Sequence, residues 1–155
     1  MKLHSLARWS PLLLAMGLTI WVVSWALNGR TLDGSVSVLG MSERGWRRLL
    51  DPGTLFLMAG LLGFHTRRRH TYGRLGLIGF VTIQVGLFIA LTGNVIEFWV
   101  GGWLYVDGPG FEPTDFLGWQ VFLIGVLIGL AGLVIFAIAL LARRWDPADA
   151  ARHQL

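Results

Sequence analysis

The chain of 155 residues has no cysteine. That excludes disulfides, thiolate catalysis, iron–sulfur clusters and zinc sites built on sulfur. Charge is scarce: only 14% of residues are charged, against roughly 25% in soluble domains. Between Leu75 and Ala142 there is no Lys, Arg or His, and the acids are Glu97, Asp107, Glu112 and Asp115. No hydrolase nucleophile motif, phosphate-binding glycine loop or zinc protease motif occurs. No catalytic residue, metal or cofactor is predicted, and whether the chain is an enzyme is left uncertain, with the balance against it.

What is present is apolar. Hydrophobic residues make up 54% of the chain and mean hydropathy is +0.62. The charge-free stretch is preceded by Arg67, Arg68, Arg69, His70 and Arg74, and followed by Arg143 and Arg144. Cytoplasmic segments of membrane proteins hold the positive charge, so this pattern predicts two crossings joined by an acidic outer hairpin. The pI near 10.7 is read as topology signals and contacts to anionic headgroups from Arg67, Arg68, Arg69, Arg143 and Arg144. Nucleic acid is not a predicted partner, because these arginines flank apolar spans.

The pattern predicts one all-α membrane domain over 1–155, a four-transmembrane-helix bundle with spans at about 9–27, 52–66, 75–100 and 116–142. Ser10-Pro11 and Asp51-Pro52 read as N-cap plus first-turn proline, and Thr114 or Asp115 caps the last span. The first span, with Lys2, Arg8 and the Ser24-Trp25-Ala26 tripeptide, also resembles a secretory signal. Its long apolar run and Trp21 and Trp25 favour a retained anchor. The second is the shortest, about 22 Å of helix against a hydrocarbon core of ~30 Å.

Four spans put both termini in the cytoplasm. They also put Arg30, Arg44, Arg47 and Arg48 outside, in conflict with the charge rule. A three-span alternative makes the second segment re-entrant. Its backbone would then need protein or water for its hydrogen bonds. In the first loop, Met41, Trp46, Leu49 and Leu50 fall on one side of a short helix starting at Ser42, with Arg44, Arg47 and Arg48 largely on the other. This predicts a segment lying in the headgroup layer, with a plain solvated loop as the alternative.

Small residues mark the packing faces. Gly79, Thr82, Gly86, Ala90, Gly93 and Glu97 recur every three or four positions, and the last span carries Gly118, Gly125, Gly129 and Gly132, including one G-x-x-x-G. Such stripes let helix backbones approach in lipid. They are expected to face each other, or alternatively a second copy of the chain. Glu97, Asn94 and Gln84 are the ion- or proton-binding candidates. The competing reading places Glu97 at the outer interface beside Trp99 and Trp103, where tryptophans form belts. His65 and His70 read as headgroup-level polar residues rather than haem ligands. Asp107, Glu112 and Asp115 read as a solvated loop with turns at Gly108-Pro109-Gly110 and Pro113.

The run Arg74-Leu-Gly-Leu-Ile-Gly-Phe80 and the ending Gly132-Leu-Val-Ile-Phe-Ala-Ile-Ala139 with Arg143-Arg144-Trp145 resemble small multi-pass bacterial membrane proteins of no assigned activity. The resemblance implies a full second span and the bacterial inner membrane, and transfers no site residue. The expected function is a structural or interaction role in the cell membrane, with the lipid bilayer and a membrane-protein partner or homo-oligomer as partners. A small transporter or ion-binding protein centred on Glu97 is the alternative. A haem-, quinone- or lipid-binding protein comes third.

Overall fold

A computed structural model describes residues 3–28, 40, 43–100 and 113–144. The described elements are helical: α1 (Leu3–Asn28), α2 (Glu43–Arg48), α3 (Leu50–Arg68), α4 (Gly73–Val95), a π-helical turn (Ile96–Val100) and α5 (Pro113–Arg144). The acidic hairpin with Asp107 and Glu112, and the side chains of Asp115, Arg143 and Arg144, lie outside the described residues.

The expected helix starts are corrected. α1 begins at Leu3 and runs through Pro11. Proline has no N–H for the carbonyl four residues back, which here belongs to Ala7. The hydroxyl of Ser10 donates to Ala7 O at 3.1 Å instead, so the helix continues. α3 begins at Leu50 with no side-chain cap. Pro52 still lies in the first turn, where its missing N–H has no intrahelical partner to lose, but Asp51 is turned to other donors. α5 starts at Pro113, which places Thr114 and Asp115 inside its first turn. Between α3 and α4 the chain reverses through Gly73 at φ 60°, a conformation that favours glycine.

The helices form two antiparallel pairs. In the first, α3 lies against α1: a Cβ on Gly63 would stand 2.5 Å from Leu6 O, one on Gly60 2.8 Å from Leu14, and one on Gly53 2.9 Å from Ile20. In the second, α4 lies against α5. A Cβ on Gly79 would meet the Phe136 backbone at 2.6 Å, on Gly86 that of Gly129 at 2.3 Å, and on Gly93 that of Phe122 at 2.2 Å. From α5, Gly118, Gly125 and Gly132 press against Glu97, Ala90 and Ile83 in the same way. Gly129 differs, because its missing side chain faces open space, 4.0 Å from Gly86 Cα.

Aromatic rings join the pairs at one end. Phe122 of α5 stacks between Trp21 of α1 (6.1 Å between centroids) and Trp119 (5.6 Å). Among the described residues three stretches are long and apolar enough to cross a membrane: Leu6–Leu27, Gly73–Val100 and Phe116–Ala142. α3 is not among them, since Asp51 breaks its apolar run at one end and Arg67 and Arg68 at the other.

Candidate functional site

Most of the buried polar groups gather at one end, where α2, the start of α3 and the π-helical turn meet. The π turn widens the helix after Asn94 and re-aims the side chains that follow, a device frequent at functional sites. Glu97 and Phe98 turn inward, and Trp99 stays 43% exposed while its indole nitrogen reaches across to α3.

Seven residues from these elements and the end of α4 satisfy one another. Arg47 Nη1 lies 3.2 Å from Glu97 Oε1. Arg48 donates through Nε and Nη2 to Phe98 O at 3.1 and 2.9 Å. Asn94 Nδ2 donates to Asp51 Oδ1 at 2.7 Å and to Arg47 O at 3.2 Å. Trp99 Nε1 donates to Asp51 Oδ2 at 2.6 Å. The two guanidinium groups also lie over rings, Arg47 over Phe98 at 5.4 Å and Arg48 over Trp99 at 4.9 Å, where cations are attracted to the π face.

Burial makes these contacts matter. Asp51, Asn94 and Glu97 are 7%, 3% and 9% exposed, and a buried charge is costly unless paired and hydrogen-bonded. Asp51 stands just ahead of the 52–66 apolar stretch. Burial pushes its carboxyl above the ordinary carboxylate range, opposed by the hydrogen bonds from Asn94 and Trp99 and by the charge of Arg48. One turn further along α3, Thr54 Oγ1 accepts from Trp21 Nε1 at 3.0 Å and donates to Leu50 O at 2.7 Å. This ties α1 to the same end.

The opposite end is built on rings. His65 stacks on Phe80 at 4.2 Å and hydrogen-bonds through Nδ1 to the Tyr72 hydroxyl. Tyr72 is buried against Phe136, and that burial holds its phenol above the ordinary range, so it remains a donor. Arg67, Arg68 and Arg69 are exposed here.

The structure brings Glu97 and Asn94 into one cluster and leaves Gln84 out of it. Gln84 Nε2 donates instead to Met58 O at 3.0 Å and clips α4 to α3. Sequence reasoning did not foresee that Arg47 pairs with Glu97. It also missed Asp51, Arg48 and the His65–Tyr72 pair. In the first-loop helix, Trp46 and Leu50 are buried in the protein, and Arg47 and Arg48 reach internal acceptors rather than facing away. The missed signal was the sum of Arg47, Arg48 and Asp51 on adjoining turns. Among the described residues no three His, Asp or Glu side chains group to hold a metal. Comparisons with protein-family models, curated proteins and solved structures find no match.

Proposed function

We propose that the chain is a four-span protein of the bacterial inner membrane, with both termini cytoplasmic and a structural or interaction role, as a small subunit of a membrane complex or as a homo-oligomer. The carrying observation is that Glu97, the acid within the Gly73–Val100 span, is bonded to Arg47 of its own chain. A carboxylate held by a guanidinium in a buried site works as a clamp between helices, since breaking such a pair is strongly destabilising. Gln84, the deepest polar candidate, serves a backbone carbonyl.

The second span rests on the pairing of α3 with α1. Gly63 lies at Leu6 and Gly53 at Ile20, so α3 runs beside the Leu6–Leu27 stretch for most of its length. Its apolar stretch over 52–66 extends about 22 Å as helix. The first-loop arginines weigh less against this topology, because Arg47 and Arg48 have acceptors inside the protein.

Affinity purification from native membranes in mild detergent tests the role. Stoichiometric association with a membrane protein or with a second copy is expected. Cation- or proton-coupled flux in vesicles, lost in Glu97→Gln, would instead establish the transporter. Topology is tested by single cysteines in this cysteine-free chain. Gly110→Cys should label from outside and His70→Cys should not. Labelling of Ser5→Cys with protection of Val36→Cys would establish three spans.

A further inference from the structure

A cleft of about 340 Å³ lies between the two helix pairs, lined by α1, α3, α4 and α5 and wholly apolar. Ile83 and Gly86 belong to its α4 wall, Leu57 and Leu61 to its α3 wall. Leu18 of α1 and Leu133 of α5 are 59% and 53% exposed, so the cleft opens sideways between these two helices. Both belong to the stretches long and apolar enough to cross a membrane. Gly129 also lines it, and is the one seam glycine whose missing side chain faces space.

We propose that this cleft holds one acyl chain of a bilayer phospholipid, entering from the side. The proposal rests on the membrane-spanning reading above. The volume is more than twice the ~150 Å³ of an apolar protein cavity that stays dry and binds benzene. It lies near the lower end of the ~300–1,000 Å³ of ligand pockets, so it suits a single chain. The wall offers nothing to a headgroup, a sugar or an ion. Left empty, it forfeits the dispersion contacts of every lining atom, and the medium at its mouth is hydrocarbon. Polar ties on either side keep it from collapsing: Asp51, Asn94 and Trp99 beyond Ala90, and His65 with Tyr72 beyond Leu61.

The test is native mass spectrometry of the full chain, delipidated in detergent and titrated with phosphatidylethanolamine. The parent should retain one lipid per chain. Gly129→Phe, which fills the cleft, should lose it, and Gly129→Ala, which adds one methyl into open space, should weaken it. Leu127→Phe adds bulk on a side chain 65% exposed outside the cleft lining, and should leave retention unchanged. Equal retention by the parent and Gly129→Phe, or no retention by the parent, overturns the proposal. A change of subunit number in Gly129→Phe also overturns it, because the cleft would then receive a second copy. Failure of the membrane reading would appear separately, as release of the chain from membranes by alkaline carbonate.

Discussion

Arginine serves opposite purposes at the two ends of this bundle. Arg47 and Arg48 turn onto Glu97 and the Phe98 carbonyl, pack over aromatic rings, and hold α2 against the π turn. Arg67, Arg68 and Arg69 follow the last apolar turn of α3 and are exposed. The difference lies in what surrounds them. The first pair meets a carboxylate and a re-aimed carbonyl; the others lie on the exposed surface. Counting arginines treats all five alike, whereas their surroundings divide them into two that bridge helices and three that are exposed.

The sharpest break in that comparison is Arg47→Ala. It takes the guanidinium away from Glu97, which is 9% exposed, and removing one member of a buried pair costs about 3 kcal/mol at the low end of measured values. The loss should be read as unfolding free energy in mixed micelles. Glu97→Gln keeps an acceptor for Arg47 and should cost clearly less. Equal effects would mean that the charge, rather than the hydrogen bond, supplies the stability.

Next in size is a contrast inside the α4–α5 seam. Gly86→Ala drives a Cβ to within 2.3 Å of the Gly129 backbone and should destabilise by about 1–3 kcal/mol, as overpacking does. Gly129→Ala meets nothing closer than 4.0 Å and should stabilise by up to about 1 kcal/mol through helix propensity. Opposite signs in thermal melts are the expected result, and losses at both sites would mean the cleft beside Gly129 is closed.

A smaller effect comes from pH. The Asp51 carboxyl is raised by burial above an unfolded value of about 3.9. Its contribution to stability is therefore full below that value and is lost as pH rises through the folded one. Melting temperatures of the parent and Asp51→Asn should converge or cross in the variant's favour as pH rises above 4. A constant difference would place the carboxyl in an ordinary environment. Smallest of all is Arg67→Gln at the exposed end, expected within about ±0.5 kcal/mol of the parent.

Much of this was legible in the sequence. The apolar runs, the bracketing arginines and the α4–α5 glycine stripes follow from composition and helical spacing. The α1–α3 seam was not read, although Gly53, Gly60 and Gly63 repeat at spacings of seven and three, because the apolar run there is short for a span. Ser10-Pro11 misled because proline fits both the first turn of a helix and an interior site rescued by a neighbouring hydroxyl. The polar cluster was hidden for a different reason: Glu97 falls on the small-residue stripe, but Arg47 stands 50 positions away and no local pattern names it as a partner.

The account depends on Arg47 and Glu97 acting as a pair. A double-mutant cycle of Arg47→Ala and Glu97→Ala, read as unfolding free energy in one micelle composition, tests this directly. Coupled residues in one network show interaction energies of about 0.5–3 kcal/mol, and the account predicts a value in the upper half of that range. Losses that add to within about 0.3–0.5 kcal/mol would mark the two residues as independent and contradict the clamp.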